Sequence, residues 1–399
     1  MPSEAVVVGA GPSGLMAAEI MANAGLSVTV HDKMPSPARK FLMAGRGGLN
    51  LTHSEPIDTF LTRYGEAASW LDAPVREFSP DKVRAWADAL GQETFVGSSR
   101  RVFPASFKAS PLLRAWLQRL DSMGVKLKSR SRWTGFSTDG GLVFSDGTNI
   151  TPDVTVLALG GASWPRLGAD GSWTGLLKAR DIAITPLVAS NAGVMCAWSQ
   201  VTQQRHAGTP LKRISLSCGV ANARGEAMIS SAGLEGGAVY ALSRTIRAHL
   251  DAGKCELILD LRPDLEVAQL IQRLEAVPQK QSLTNRLRKA CHLKQHEISI
   301  WRDTIERVPD TAEALARSIK NVTIPVTGIQ SLDRAISTAG GIHNDEITDQ
   351  FMLKKLPGVF VCGEMLDWDA PTGGYLLQAC FATGAAAGAG AIAFSNKTA

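Results

Sequence analysis

Residues 4–32 read EAVVVGAGPSGLMAAEIMANAGLSVTVHD, and this stretch decides the fold. Its apolar start, residues 5–8, is typical of a buried parallel strand, and residues 13–24 predict a helix that Gly25 ends. Residues 27–31 alternate as a second strand. Because a strand, a glycine turn, a helix and a strand follow one another, the sequence predicts a βαβ unit that opens a Rossmann-like α/β domain.

The glycine turn has the spacing GxGxxG, which is typical of a dinucleotide-binding loop. Gly9 permits a tight turn, Gly11 lets the backbone approach a pyrophosphate, and Gly14 lets helix and strand pack closely. Pro12 and Ser13 lie at the start of the helix, where free N–H groups and the helix dipole favour phosphate. We therefore predict that these five residues bind a cofactor; the alternative is a structural turn without a ligand.

The acid after the second strand narrows the choice of dinucleotide. Asp32 ends that strand, where a carboxylate accepts hydrogen bonds from the hydroxyls of an adenosine ribose. NADP usually requires a basic residue at this place, so Asp32 argues against NADP.

Glycine clusters far along the chain favour FAD over NAD. Two clusters follow buried strands, and a third opens the last helix. An NAD enzyme does not need a site divided between its chain ends, whereas FAD extends well beyond the first βαβ unit. The acid of the second cluster can bond ribityl hydroxyls, and the helix start can stabilise negative charge on reduced flavin. The predicted contacts are Gly160, Gly161, Gly363, Glu364, Gly373, Gly374, Tyr375 and Leu376; ordinary turns and a helix cap are the alternative.

The sequence pattern of buried strands, glycine turns and helices that is typical of a Rossmann-like domain ends near residue 190 and resumes from residue 336. We predict a cofactor domain over 1–190 and 336–399, with an inserted domain over 191–335 that is mostly helical at 264–316. Other expected elements are a loop at 35–57, paired strands over 125–144, strands at 154–159, 193–220 and 359–362, and helices at 80–90, 111–123, 236–250 and 374–393.

Composition limits the classes of protein that fit. Lys and Arg exceed Asp and Glu by 42 to 37, which favours an anionic cofactor but makes nucleic acid an unexpected partner. The six cysteines form no CxxC pair, so reduced thiols in a cytosolic enzyme are expected. Without a cationic leader or an uncharged apolar stretch of about 20 residues, we predict a cytoplasmic protein with no signal peptide and no membrane partner.

Four segments of the chain resemble one family. They are VVVGAGPSGLMAA at 6–18, RKFLMAGRGGLNLTH at 39–53, LALGGASWPRLG at 157–168, and the stretch 339–387, which begins AGGIHNDEI and ends APTGGYLLQACFATGAAA. Through them the chain resembles the BaiN/YhiN-like flavoproteins, which include aminoacetone-oxidase-like enzymes. The resemblance implies a Rossmann-like FAD domain of the two-dinucleotide-binding-domain type, with an inserted β-barrel-like and helical region.

The resemblance also implies that a glycine-rich loop contacts the flavin. Where the family commonly reads G-R-C-N-V-T-N, this chain has Leu49 for the cysteine, Leu51 for the valine and His53 for the last asparagine, so any role of that cysteine is absent. The stretch 230–237 keeps the glycines of the family's T-H-x-G-x-S-G-P motif but not its Thr-His or Pro. The implied flavin contacts are Lys40, Gly45, Arg46, Gly47, Gly48 and Asn50.

Flavin chemistry needs orientation and electrostatics from the protein more than a dedicated catalytic group. His53 titrates near neutral pH and is a candidate for substrate binding or proton transfer, with a loop hydrogen bond as the alternative. Tyr375 is a candidate wall of the substrate pocket, with core packing as the alternative. Arg46 is expected to neutralise pyrophosphate or reduced flavin. Trp133 lies where similar folds contact adenine through backbone groups, and its side chain is expected to pack in the sheet.

No metal site is predicted. His292 and His296 have i, i+4 spacing on a predicted helix beside Glu297, but no third ligand lies nearby in the sequence. Four basic residues between 286 and 294 share that helix, and a solvated face is the default interpretation, with RNA binding as the alternative.

These features predict an FAD-dependent oxidoreductase that acts on a small molecule, such as an amine or an unsaturated carbonyl compound. Because the sequence has no second strand-GxGxxG-helix unit, either the substrate reduces the flavin and O2 reoxidises it, or NAD(P)H binds transiently. The alternative function is a non-catalytic or RNA-associated FAD-binding protein.

Overall fold

The computed structural model describes residues 2–398, with residues 46 and 398 described by their backbone alone. The chain forms two compact units, unit 1 over 1–188 and 337–399, and unit 2 over 189–336. Each unit has its own hydrophobic core. The expected changes of pattern near residues 190 and 336 lie beside these boundaries.

The strands, in chain order, are β1 (Glu4–Val8), β2 (Ser27–Asp32), β3 (Thr52–His53), β4 (Thr94–Val96), β5 (Arg101–Pro104), β6 (Lys126–Ser129), β7 (Trp133–Phe136), β8 (Leu142–Phe144), β9 (Asn149–Ile150), β10 (Val154–Leu157), β11 (Ile184–Ser190), β12 (Val194–Cys196), β13 (Pro210–Cys218), β14 (Ala221–Ile229), β15 (Gly233–Glu235), β16 (Cys255–Asp260), β17 (Val322–Ile329), β18 (Ser337–Ile342) and β19 (Val359–Val361).

The α-helices, in the same order, are α1 (Pro12–Asn23), α2 (Arg39–Ala44), α3 (Ile57–Thr62), α4 (Ala68–Glu77), α5 (Pro80–Ala89), α6 (Ala109–Ser122), α7 (Trp173–Lys178), α8 (Gln200–His206), α9 (Gly237–Tyr240), α10 (Ser243–Asp251), α11 (Val267–Glu275), α12 (Leu283–Cys291), α13 (Gln295–Asp303), α14 (Ala312–Lys320) and α15 (Tyr375–Thr398). Short 3-10 turns occupy Gly45–Gly47, Gly65–Ala67, Pro165–Leu167, Leu332–Arg334, Asn344–Glu346 and Gly363–Met365.

A five-stranded parallel sheet forms the centre of unit 1, in the order β19-β10-β1-β2-β6. Its middle strand, β1, is rich in valine because both faces of a parallel sheet are covered, and Val6 to Val8 are at most 2% exposed. Val8 pairs with Leu157 of β10 and with His31 of β2, so the carboxyl ends of these strands lie at one edge. The Rossmann-like α/β fold predicted from the opening βαβ unit is confirmed.

The closing helix α15 packs closely along α1. A Cβ atom added to Gly384 would lie 2.3 Å from the carbonyl oxygen of Ser13, and one added to Gly388 would lie 3.0 Å from that of Ala17. Glycine at these positions therefore lets the two backbones approach each other. Among the described helices, α15 alone is long and apolar enough to cross a membrane, but 61% of its most apolar window is buried inside the protein, as in a core helix.

Six strands of unit 2 close into a barrel, in the order β12-β15-β14-β13-β16-β17, and β17 pairs with β12 to complete it. Side chains alternate along β16, where Cys255, Leu257 and Leu259 are buried and their neighbours are half-buried. Helices α11 and α13 add Leu270 and Trp301 to the same core. The inserted barrel-like and helical region implied by the family resemblance is confirmed.

Several predictions of secondary structure were wrong, because packing between distant segments determined which segments became helices or strands. Helix α2 occupies part of the predicted loop 35–57, and α8 interrupts the predicted strands of 193–220, where Ser199 Oγ accepts a capping hydrogen bond from Thr202 N. The predicted helix 236–250 is divided into α9 and α10. Within 125–144, β7 and β8 form a hairpin as expected, but β6 joins the main sheet parallel to β2.

The predicted helix that carried His292 and His296 is in fact two helices. His292 directly follows α12 with φ of 54°, in the left-handed region, and His296 lies in α13. The i, i+4 argument for a metal-binding pair therefore does not apply, since it requires one continuous helix. Within residues 2–398 the structure contains no cluster of three or more His, Cys, Asp or Glu side chains that could hold a metal ion.

We expect Gly384→Ala to lower the free energy of unfolding by about 1–3 kcal/mol, because the added methyl group would meet the backbone of α1. Gly175→Ala in α7 is the matched control. A Cβ there meets no atom within 4 Å, so we expect unchanged stability or a gain of about 0.5–1 kcal/mol. Urea unfolding followed by circular dichroism measures both variants. Equal effects of the two substitutions would contradict the close contact between α1 and α15.

Candidate functional site

A cleft of about 910 Å³ lies in unit 1 and is lined by residues that follow β1, β2 and β10. Its position at the carboxyl ends of parallel strands is where such sheets bind ligands. The predicted cofactor residues in its lining are Gly9, Gly11, Pro12, Ser13, Asp32, Lys40, Trp133, Gly160 and Glu364. They come from the beginning, the middle and the end of the chain, so the fold assembles one site from distant segments.

The three glycines of the turn are required for three different reasons. Gly9 has φ of +108°, and a Cβ on it would lie 2.2 Å from the carbonyl oxygen of Ala158. A Cβ on Gly14 would lie 2.0 Å from the carbonyl oxygen of Gly9. A Cβ on Gly11 would meet no atom within 4 Å, because Gly11 borders the open cleft. No side chain caps α1 at Gly11, so the first N–H groups of the helix are available to a pyrophosphate.

Asp32 stabilises the glycine turn through a hydrogen bond to its backbone. Its Oδ2 accepts a hydrogen bond from Ala10 N at 2.8 Å, and its Oδ1 accepts one from Met34 N at 2.7 Å. Burial raises the pKa of Asp32, and these two hydrogen bonds oppose part of the increase. Each carboxylate oxygen can accept a second hydrogen bond. Asp32 can therefore fix the turn and still accept the hydroxyls of a ribose.

Two buried polar atoms without a partner among the described residues lie in the lining of this cleft. They are Nε2 of His31 and Nε1 of Trp133. The other ring nitrogen of His31 lies 2.7 Å from Ser131 Oγ, and the ring stacks on Phe144 at 4.2 Å between centroids. Burial, and next the charge of Lys128, lower the pKa of His31 to about 4, so its ring is neutral near pH 7. Buried polar atoms are normally paired, so these two atoms fit a bound heterocycle such as adenine.

A charged network connects the early and late segments of the chain at the cleft. Lys40 Nζ lies 2.7 Å from Glu364 Oε2 and donates to Ser163 Oγ at 2.7 Å. Glu364 Oε1 accepts a hydrogen bond from Thr338 N at 3.4 Å. A largely buried ion pair needs such additional hydrogen bonds to offset its desolvation. These bonds place the Lys40–Glu364 pair in the cleft lining, where its polar groups can meet the hydroxyls of a ribityl chain.

The glycine-rich loop lies outside the lining of the cleft. Gly45 packs on Ala109, Gly48 has φ of +105°, and Asn50 Oδ1 is buried without a partner among the described residues. The side chain of Arg46 lies outside the described part of the structure. The other predicted contacts outside the lining are Gly14, Gly47, Gly161, Gly363, Gly373, Gly374, Tyr375 and Leu376. Direct flavin contacts by these residues stay predictions.

Tyr375 belongs to a buried polar cluster at the start of α15. Its hydroxyl donates to Glu55 Oε1 at 2.7 Å, and Arg63 donates to both oxygens of that carboxylate at 3.0 and 2.8 Å. Burial raises the pKa of Tyr375, and its bond to Glu55 adds to the increase. Burial alone would raise the pKa of Glu55, but the bonds from Arg63 and Tyr375 outweigh it and lower that pKa. Tyr375 is 5% exposed, so this position fits core packing better than a pocket wall.

His53 is the other candidate for chemistry that the sequence offered. Its ring stacks on Tyr375 at 5.3 Å between centroids, and its Nε2 lies 3.1 Å from the carbonyl oxygen of Ser99. Burial lowers the pKa of His53. The loop hydrogen bond considered from the sequence is therefore present, and a role toward substrate stays a prediction.

One protein family accounts for nearly the whole chain. Residues 3–390 match the family described as HI0933-like protein Rossmann domain. The chain belongs to this family. The resemblance to BaiN/YhiN-like flavoproteins seen in the sequence is confirmed.

Two curated relatives align with almost the full length of this HI0933-like chain. The 3-dehydro-bile acid delta(4,6)-reductase of Clostridium scindens is 26% identical over 400 residues, which cover 96% of this chain and 97% of the relative. The ribosomal RNA dihydrouridine synthase of Escherichia coli is 23% identical over 400 residues, which cover 94% of each chain.

Two fumarate reductases are among the solved structures that share this fold. The open conformation of a flavocytochrome c3 fumarate reductase has a TM-score of 0.55 at 16% identity and covers 99% of this chain and 78% of its own. A variant of E. coli quinol fumarate reductase FrdA has a TM-score of 0.53 at 15% identity and covers 100% of this chain and 71% of its own. The family match and the curated relatives, with this fold, identify the chain as an FAD-dependent oxidoreductase. The chain is therefore an enzyme, in contrast to the non-catalytic FAD-binding protein considered as an alternative from the sequence.

Asp32→Asn should weaken FAD binding about ten- to hundredfold, because a hydrogen bond to a charged group contributes roughly 1.5–3 kcal/mol. Asp153→Asn is the matched control, since Asp153 Oδ2 also accepts a backbone hydrogen bond, from Glu4 N at 2.7 Å, but lies outside the cleft. The Kd of FAD is measured by flavin fluorescence for the apoprotein of each variant and compared with that of the wild type. Equal changes in Kd would contradict the assignment of Asp32 to the ribose.

The stability of the protein should depend on pH through His31. Its pKa falls from 6.5 to about 4 on folding, so the unfolded chain binds more protons between these values. The free energy of unfolding is therefore highest above pH 6.5 and decreases as the pH falls toward 4. The contribution of His31 to this decrease is about 2 kcal/mol at pH 5. His31→Asn should show a smaller fall between pH 7 and pH 5 in urea unfolding of the apoprotein. An identical fall in both proteins would disprove this role of His31.

Proposed function

We propose that this chain is a reductase that adds hydrogen across a carbon–carbon double bond conjugated to a carbonyl group, with FAD as its redox cofactor. The observation that carries the proposal is the pair of relatives that align with at least 94% of the chain. One name denotes reduction of the delta(4,6) double bonds of a 3-dehydro bile acid. The other denotes formation of dihydrouridine, in which a ring double bond of uridine is reduced. The two substrates differ in class, but the reduced bond has the same chemistry.

The start of α15 supports this proposal through its charge. When bound, FAD supplies the hydride for the carbon remote from the carbonyl, and the carbon beside the carbonyl then needs a proton. Gly373 and Gly374 have φ of +128° and +104° directly before the helix. A Cβ on Gly374 would lie 2.5 Å from the carbonyl oxygen of Thr52, so the turn is held tightly. A helix start of this kind favours the negative charge that a flavin carries after reduction.

We infer that NADH or NADPH reduces the flavin by transient binding. The sequence contains one strand-GxGxxG-helix cradle, at 9–14, and FAD occupies it in this interpretation. A nicotinamide cofactor has no second cradle of this kind and would bind, react and leave. Oxygen as electron acceptor is the competing arrangement, and the relatives' names favour reduction of the organic substrate.

An anaerobic absorbance experiment tests the proposal. NADH or NADPH is added to the FAD-loaded protein, and the reduced protein is then mixed with a conjugated 3-oxo steroid, with uridine-containing RNA, or with air. We expect bleaching by one of the nicotinamides and faster reoxidation by at least one conjugated acceptor than by air. The product should be heavier by two hydrogen atoms in mass spectrometry.

A saturated ketone with the same steroid skeleton is the control for the double bond and should not reoxidise the flavin. Fast reoxidation by air, combined with no reaction of either conjugated acceptor, would indicate an oxidase and would refute the proposed reductase.

A further inference from the structure

The excess positive charge of the chain belongs to unit 2. Residues 189–336 contain 19 Lys and Arg against 14 Asp and Glu, an excess of 5. The whole chain contains 42 against 37, so the residues of unit 1 balance at 23 against 23. The excess that looked small over the full chain is therefore concentrated in about a third of it. A polyanionic partner would be attracted to this unit.

A groove of about 1100 Å³ on unit 2 collects part of this charge. Its lining includes the exposed cations Lys212, Arg213 and Lys294. None of these three side chains has an ion-pair partner in the described part of the chain. Unpaired cations in one groove leave their charge available to a ligand.

The backbone places two of these cations on the groove through a β-bulge. In β13, Lys212 and Arg213 together stand opposite the single residue Glu226 of β14. Consecutive strand residues normally alternate between core and solvent, but here both bulge residues are exposed, between the fully buried Leu211 and Ile214. The bulge thus presents two adjacent cations on the same side of the barrel wall.

The conformation of the bulge carries a cost. Arg213 has φ of +53°, in the left-handed region that residues with side chains seldom adopt. Such strain persists where the surroundings enforce it, and it is concentrated at functional sites. A regular strand would avoid the strain but would direct one of the two cations into the core.

The acidic side chains of the groove do not cancel these cations. Glu297 is bound to Arg262 at 2.8 Å, and Asp264 is bound to Arg224. The remaining carboxylate of the lining is Glu226, which supplies one negative charge against the three positive charges of Lys212, Arg213 and Lys294. The groove therefore keeps a net positive charge.

We infer that this groove binds the phosphate groups of an RNA backbone. Phosphodiesters repeat a single negative charge along a chain, which matches separate cations distributed over one groove. Pro263 and Leu265 in the same lining offer apolar surface to riboses and bases. RNA would then be the molecule that carries the reducible double bond, and this catalytic consequence alone rests on the proposed function.

The test measures RNA binding to the full-length, FAD-loaded protein. Fluorescence anisotropy follows a fluorescein-labelled RNA hairpin with a uridine-rich loop, between about 50 and 200 mM salt. Lys212→Ala/Arg213→Ala is compared with Arg288→Ala/Lys289→Ala, which removes the same charge from an adjacent exposed pair on α12, outside the groove. Lys294→Ala tests the groove independently of the bulge.

We expect the bulge variant to lose about tenfold or more in affinity at low salt. The slope of log affinity against log salt should also become shallower, by about 0.7 for each phosphate that the variant no longer neutralises. For Lys294→Ala the slope should become shallower by about 0.7, the value for one phosphate. The α12 variant should have the affinity and the slope of the wild type. Unchanged FAD content and unfolding midpoint show that the variants are folded.

Three results would overturn the inference. The first is equal affinity and salt slope for the wild type and the bulge variant. The second is an equal loss in the α12 variant. The third is displacement of the RNA by inorganic phosphate at the ionic strength of a chloride control that does not displace it, because the groove would then take free phosphate.

Reduction of the 3-oxo steroid by the same variants separates this inference from the proposed function. Neither cation pair lines the FAD cleft, so both variants should react at the wild-type rate. RNA binding that depends on the bulge, without reduction of any conjugated acceptor, would support the groove and refute the reductase. Reduction of conjugated acceptors without RNA binding would support the reductase and refute the groove.

Discussion

The close contact of α15 with α1 is the constraint on which the cofactor site depends. Gly384 meets the backbone of Ser13, and Gly363 meets the hydroxyl of the same residue, where a Cβ would lie 2.4 Å from Oγ. The last segment of the chain is thereby held on the phosphate-binding turn of the first. The ion pair of Lys40 with Glu364 connects the same two segments on the cleft side. Small residues and one buried charge pair thus convert a linear sequence into a site with contributions from both ends.

The sequence predicts the parts of this site that local geometry determines. The steric needs of Gly9 and Gly14 follow from the tight turn itself, and Asp32 follows from the end of a strand at the correct place. The return of glycine clusters at 160–161 and 363–364 indicates a long cofactor, because each cluster follows a buried strand. The features that could be predicted are therefore those in which a short stretch carries its own physical reason.

The sequence does not predict features that depend on the partner of a segment. Strand β6 has the same local pattern whether it pairs in a hairpin or joins the main sheet, and only packing on β2 decides. His31 looks like an ordinary strand residue, and its unpaired nitrogen becomes visible only beside Trp133. The sequence did offer one indication that His31 lies at the cofactor site, because His31 directly precedes Asp32, a predicted cofactor contact. The charge balance of the whole chain likewise hides the positive excess, which only the boundary of unit 2 localises.

The chain leaves unit 1 and returns to it along neighbouring strands, because β11 and β18 form a two-stranded sheet. Ile336 N also donates to the carbonyl oxygen of Asn191 at 3.3 Å, so the two ends of the insertion are joined. An insertion with adjacent ends can be exchanged or remodelled during evolution without moving the host strands. Recognition surfaces can therefore diversify while the redox centre is inherited unchanged.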